Sequence, residues 1–361
     1  MLQHKYTEPA KTNFSKLEER LMQINSEKIF TQFQFLHNFW WPMTNSNGFK
    51  KPTLIMATGG SKAAAYYLQM VLESKGTITE VIEPRDYSYK TSINNFDRLI
   101  ALSKNGKTNG IQEVLHLFKG EKYLFTSDYV LSDNNYKKSK YFGENEKSMI
   151  TNIYWANRYY ADREKSFVSL VSTLGPMIIF LELACYEGKE LCSKELRGIN
   201  NKLKTLIKKS KNKISSLDFD FFDTNIIQIM SGYDTRASAT ILESNMTECG
   251  AYPTIIHDKG SYCHGRSNLL FQNPDSSLIY LLHEKKELDE TLLEILRKEY
   301  QNVFLFHTSN FEGNIFWKEF YLSLQMFYLS QKLASDKQID LTQPEYNPNV
   351  VKKLYNYKGG M

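Results

Sequence analysis

Apolar residues at Phe14, Leu17 and Leu21 recur at helical spacing, and the helix they predict leads to an aromatic patch, Phe39-Trp40-Trp41, stopped by Pro42. From Thr53 the period changes. Short apolar runs at 53–57, 79–83, 98–102 and 122–126 read as strands, with helices after the first of them and over 108–117. The alternation predicts a parallel sheet covered on both faces, whose ligand lies beyond the carboxyl ends of the strands. Residues 148–207 read as helical. The strand pattern then restarts, with strands at 225–230, 277–282 and 302–307 and helices at 236–247, 288–299 and 315–333. The fold class expected is α/β, with two tandem three-layer units in which the second is a degenerate echo of the first. The divisions follow as a helical segment 1–45, a first unit 46–195, a second unit 196–335 and a tail 336–361.

One apolar run, 167–185, approaches membrane-spanning length. Gly175-Pro176 interrupts it and Glu182 lies inside it, so a buried core helix is expected, and no membrane contact. Composition changes little in this picture. Of 361 residues 42% are hydrophobic and 24% charged, the balance of a globular chain rather than a disordered or fibrous one. A net charge of +5, from 45 basic against 40 acidic residues, is too small to imply nucleic acid, and the basic run at 208–213 reads as a solvated helix end or linker. Cys185, Cys192, Cys249 and Cys263 show no C-x-x-C spacing and are too few for a disulfide scaffold. Together with an amino terminus that has no apolar signal-peptide core, they point to free thiols in the cytoplasm.

Candidate chemistry begins at Thr58-Gly59-Gly60-Ser61, between the first strand and an alanine-rich helix. Two glycines let the backbone turn sharply beside a ligand, and the helix start offers free N–H groups to an anion. A phosphate cradle and a plain strand-to-helix turn both fit, and neither G-x-G-x-x-G nor a P-loop is present. A second strand-to-helix loop, running from Ser103 through Lys104, Asn105, Gly106 and Lys107 to Thr108, falls at the same predicted sheet edge and strengthens the cradle reading.

These motifs, taken in order, resemble the tandem sugar isomerase (SIS) family, in the form seen in the isomerase half of glucosamine-6-phosphate synthase and in related phosphosugar isomerases and deaminases. ATGGSKAAA resembles the first loop, LIALSKNGKTNGI the second, EKSFVSLVST the segment lining the sugar site, and IDLTQPEYNPNVVKKLYNYKG the closing tail. In the second unit Glu248 and His264 stand sixteen residues apart, at the family's spacing for a catalytic glutamate and a histidine before glycine. The resemblance implies that Glu248 moves a proton between C1 and C2 and that His264, supplied by the partner of a homodimer, assists ring opening. It also implies that Gly59, Gly60, Ser61, Ser103, Lys104, Asn105, Thr108, Ser169, Arg266 and Lys353 bind a phosphorylated sugar or aminosugar, with no metal or other cofactor. The chemistry suits the residue types. A single carboxylate over both carbons can take and return a proton, and imidazole titrates near neutrality. His257 and His283 have only their residue type in their favour.

Departures from the pattern bear on substrate. Asn105 stands where a second serine is usual, Lys104 where glutamine is frequent, Asn245 where the synthase has a lysine, and Arg266 where proline follows the histidine-glycine pair. The glutamine-hydrolysing half has no place before the first unit, which leaves isomerisation, deamination of an aminosugar phosphate, or release of a fructosamine-type adduct. The rival reading is a module that senses a phosphosugar or nucleotide without turnover and acts through a protein partner, with Phe39-Trp40-Trp41 as the contact patch. A nucleotide-dependent enzyme built on the first loop is a third.

Overall fold

The computed structural model describes residues 14–22, 50–104, 106, 108–126, 150–154, 168–187, 190–191, 199–217, 224–300 and 302–344. The aromatic patch at 39–41, Cys192 and the 345–361 segment with Lys353 lie outside them. After helix α1 (Ser15–Met22), strand β1 (Thr53–Met56) leads into α2 (Ser61–Ser74). Strands β2 (Thr79–Ile82), β3 (Arg98–Ser103), β4 (Glu121–Thr126) and β5 (Ile150–Tyr154) complete the first sheet, with α3 (Asn109–Leu117) between β3 and β4. The strand order is β2-β1-β3-β4-β5, and every pairing is parallel. β1 and β3 are buried along their whole length, as strands covered on both faces must be.

Helix α4 (Val171–Ala184) and a short antiparallel hairpin, β6 (Tyr186–Glu187) with β7 (Glu190–Leu191), lead to α5 (Ile199–Ser215). The second sheet holds β8 (Ile226–Ser231), β9 (Thr254–Asp258), β10 (Ser276–Leu282) and β11 (Val303–His307) in the order β11-β10-β8-β9, again all parallel. Its helices are α6 (Arg236–Glu248) after β8, α7 (Glu287–Glu299) after β10 and α8 (Ile315–Asp336) after β11.

The α/β class and the two parallel sheets are as the sequence predicts. Four strands are not. The stretch read as wholly helical contains the β6–β7 hairpin and β5, whose Ile-Thr-Asn-Ile-Tyr sequence pairs along β4 from Lys122↔Ile150 to Thr126↔Tyr154. Likewise β9 adds to β8 where no strand was expected. The run at 167–185 forms α4, buried at every position, with Pro176 inside it. Among the described residues no helix is long and apolar enough to cross a membrane. The basic run at 208–213 closes α5: Lys208 and Lys209 are exposed, Ser210 is buried, Lys211 pairs with Glu18, and Lys213 donates to the His307 carbonyl.

The two sheets share a core. One apolar cluster includes Ile55 and Ile100 from the first sheet, Ile227, Ile229 and Ile279 from the second, and most of α4 and α8. α2 packs on α4 and on α6, and α6 packs on α8, so the helix after β1 in the first sheet lies against the helix after β8 in the second.

Candidate active site

The α2–α6 contact places the glycine loop beside the carboxylate. Gly59 takes φ +53°, a left-handed conformation that glycine adopts without strain. A Cβ on Gly59 would stand 3.5 Å from Oε1 of Glu248, the last residue of α6. At Gly60 a Cβ would lie 2.8 Å from Cβ of Ser169 and 3.6 Å from Oγ of Ser244, so the residue types follow from close approach. Thr173 holds the arrangement from α4, donating from its hydroxyl to the Gly60 carbonyl at 3.2 Å. At the start of α2 the Ser61 N–H donates to the Thr58 carbonyl at 3.3 Å and the Lys62 N–H to the Gly59 carbonyl at 2.9 Å, while the Gly60 N–H meets Glu248.

Glu248 opens on a cavity of about 320 Å³ whose wall includes Gly59, Lys62, Glu243, Ser244 and Ile256. Glu248 is exposed at the end of α6, yet protein around its carboxyl displaces part of the water there. That desolvation pushes its carboxyl above the ordinary range, against hydrogen bonds from Ser244 and the Gly60 N–H and the charge of Lys104, which pull it down. The Ser244 hydroxyl donates to Glu248 Oε1 at 2.7 Å. Desolvation also raises Glu243, despite a bond from Thr247 and the charge of Lys62. Lys62 pairs with Glu83 at 2.6 Å. Burial pulls the lysine down and this pair outweighs it, so Lys62 stays cationic.

The second loop lies at the carboxyl end of β3, within electrostatic reach of Glu248 through Lys104. Ser103 is buried, and its Oγ accepts from the Gly106 N–H at 3.0 Å, while the Gln112 amide donates to the Gly106 carbonyl at 2.9 Å. Gly106 has φ +63°. Thr108 precedes α3, exposed and without a capping bond. Asn105 lies outside the described residues. Ser61 opens α2, half-buried, one residue from the Glu248 contact.

Gly59, Gly60, Ser169, Lys104 and Glu248 thus come together; His264 and Arg266 do not join them within one chain. Both are exposed on a turn after β9, where Gly265 takes φ +111°. Among the described residues no hydrogen bond, ion pair or shared cavity wall links His264 to Glu248. Asn245 is buried and donates to Ser330 on α8 at 3.2 Å, so it serves packing. His283 is a satisfied core histidine: its ring bonds to Thr308 and to the Asp234 carbonyl, each at 2.9 Å, and lies 3.3 Å from the Glu319 carboxylate. Sequence reasoning missed Ser244, Thr173, Lys62 and Glu243. For Ser244 the i, i+4 spacing to Glu248 was the available signal. Among the described residues no cluster of three or more His, Cys, Asp or Glu side chains could hold a metal ion.

No family model and no curated protein sequence matches the chain. Solved structures do. A provisionally assigned phosphosugar isomerase from Clostridium difficile 630 superposes with a TM-score of 0.65 over 93% of this chain and 97% of its own, at 16% identity. Glucosamine-6-phosphate deaminase from Thermotoga maritima matches with a TM-score of 0.59 over 91% and 97%, at 14% identity. The C-terminal domain of glucosamine-fructose-6-phosphate aminotransferase from Francisella tularensis matches with a TM-score of 0.59 over 84% and 90%, also at 14%. The fold these proteins share over nearly their whole lengths is therefore the fold of this chain, the tandem sugar isomerase arrangement that its motifs resemble.

Proposed function

We propose that the chain is an enzyme acting on a phosphorylated ketose or aminosugar, as an aldose–ketose isomerase or an aminosugar-phosphate deaminase, through a cis-enediol or enediolamine. The observation that carries this reading is the position of Glu248. A carboxylate raised by desolvation, held by Ser244 and the Gly60 N–H, faces a cavity of sugar-phosphate size and stands over a glycine loop from the other unit. Such a group takes a proton from one carbon and returns it to the next, and its raised affinity for the proton brings it nearer the working pH. Ser61, Ser103, Asn105 and Thr108 hold the phosphate, and Lys104 adds charge. Ser169 lines the sugar. Lys353 closes over the site from the tail, and Arg266 contributes from the His264 turn.

His264 assists ring opening from a second copy of the chain. Its exposure on a turn that does not reach Glu248 in its own chain supports this assignment. The fold neighbours named as isomerase, deaminase and aminotransferase domain support the reaction class. The experiment is turnover of glucosamine 6-phosphate and fructose 6-phosphate by the native chain and by Glu248→Gln. Loss of turnover by about 10²- to 10⁴-fold with the fold intact is expected for a general base. Unchanged turnover in the variant would overturn the assignment, and binding without turnover by the native chain would establish the sensing module instead.

A further inference from the structure

The described wall of the Glu248 cavity carries three carboxylates, Glu83, Glu243 and Glu248, against one ammonium, Lys62. Lys62 is already paired with Glu83 at 2.6 Å, so Glu243, like Glu248, has no ion pair among the described residues. Its Oε1 accepts a 3.3 Å bond from the exposed Thr247 hydroxyl. A carboxylate partly withdrawn from water is stabilised by an opposite charge brought close. The two carboxylates of α6 stand toward opposite ends of the cavity. Lys104, of the second loop, acts on Glu248, whereas Lys62 acts on Glu243. The Glu243 end is thus turned away from the phosphate groups and lacks a cation of its own.

The missing charge stands on the turn after β9. Cys263, His264, Gly265 and Arg266 are consecutive exposed residues. Lys259, at the base of the turn, is taken by Asp289, but Arg266 makes no salt bridge among the described residues. Asp258 lies within electrostatic reach of Arg266, yet its Oδ1 accepts from the Ser261 N–H at 2.8 Å. Cavity and turn are neighbours, because Ile256 in the cavity wall and Asp258 at the start of the turn both belong to β9, an edge strand. A two-fold axis requires a patch that is its own complement, and this one sets an acidic hollow beside a basic projection. Ile255 before the turn and Phe271 after it are large apolar side chains left exposed, the kind of area an interface covers. The spacing also matches. Glu243 and Glu248 are separated by about 7.5 Å along the helix axis at 1.5 Å per residue. Residues two apart in the chain, as His264 and Arg266 are, span up to about 7 Å.

We propose that a second copy of the chain docks on this face, with the partner's Arg266 forming an ion pair with Glu243 that seats the partner's His264 at Glu248. Glu243 is then a positioning residue, which holds the turn and takes no proton, and Arg266 contributes through the protein without touching the sugar. The inference rests on the reading that His264 acts from a second copy, and adds the contact that holds it there.

The test is sedimentation equilibrium of the full chain across a range of concentrations. Arg266→Glu sets a carboxylate against Glu243, and Glu243→Lys sets an ammonium against Arg266, at both sites of a two-fold dimer. Each alone is expected to raise the dimer dissociation constant by about 10- to 1,000-fold, the range for a lost charge pair at an interface. Mixed in equal amounts, the two variants form a dimer in which opposite charges meet at both sites, native ones at the first and exchanged ones at the second. Near-native affinity in the mixture upholds the pair, and a structural defect in either chain would not produce it. Weakened variants that do not recover on mixing overturn the pair, as do variants that dimerise like the native chain. Arg266 is exposed, so its variant stays folded. If Glu243→Lys does not fold, Arg266→Glu/Glu243→Gln takes its place and must dimerise more tightly than Arg266→Glu, or the pair fails. A mixture that dimerises without turning over fructose 6-phosphate or glucosamine 6-phosphate keeps the pair and sinks the reaction. A native chain that stays monomeric at every concentration overturns both the pair and the partner's histidine.

Discussion

The Ser244 hydroxyl donates a 2.7 Å hydrogen bond to Oε1 of Glu248, one helical turn further along α6. The bond favours the ionised carboxylate, while desolvation in the cavity favours the protonated one and prevails. As the proposed base, Glu248 works only when ionised. The acid limb of kcat against pH therefore lies above the ordinary glutamate range, with activity rising as pH rises through it. Ser244→Ala removes a lowering influence, so its limb moves further up. A pH–rate profile of the two chains checks this, and a limb that stays put or moves down would disprove it.

If His264 acts across a two-fold dimer, Glu248→Gln and His264→Ala chains are each inactive alone and complement one another when mixed. Half of the dimers formed are mixed, and one of their two sites is intact, so roughly a quarter of native activity returns on the statistics of a two-fold dimer. Activity assays after unfolding and co-refolding an equal mixture measure it. Absence of recovery would place His264 outside the partner's site.

Gly60 leaves no room for a methyl group. Gly60→Ala puts Cβ against Ser169 Cβ at 2.8 Å and is expected to lower stability by about 1–3 kcal/mol, as overpacking does. It should cost activity more than stability, since it displaces the N–H that holds Glu248. Adding Ser169→Gly opens the space, so the double variant recovers part of the lost melting temperature. Thermal melts of the single and double variants test the coupling.

Glu182, buried in α4 with Oε2 unpartnered, has its carboxyl pushed up to about 8 by desolvation. The folded chain holds this proton after the unfolded chain has released it. Its contribution is thus fully present below the unfolded value and is lost as pH rises toward about 8, by about 1.4 kcal/mol per pH unit in that window. Glu182→Gln removes the dependence, so denaturant melts should show the variant gaining on the native chain between pH 5 and pH 8. Parallel pH curves would refute it.

The loops and central strands were legible because their signals are local: glycines where the backbone turns, and apolar runs where both faces are covered. β5 and β9 escaped because both are edge strands, and their mixed sequences, Ile-Thr-Asn-Ile-Tyr and Thr-Ile-Ile-His-Asp, take their identity from a single neighbour. Glu248 and the glycine loop could each be picked out by motif. That they touch was not readable, because the contact depends on α2 meeting α6 across nearly two hundred residues of sequence. His257 and His283 were indistinguishable by type, and only burial and partners separate an orphaned ring from a satisfied one.

Because the glycine loop rides on α2 and the carboxylate on α6, the proposed reactive centre lies on the seam where the two halves clasp. A slight loosening there would part Glu248 from the Gly60 N–H while both sheets keep their own hydrogen bonds. If Glu248 is the base proposed, its site doubles as a gauge of that clasp: under mild denaturant, turnover should fade before the circular dichroism of either half has changed.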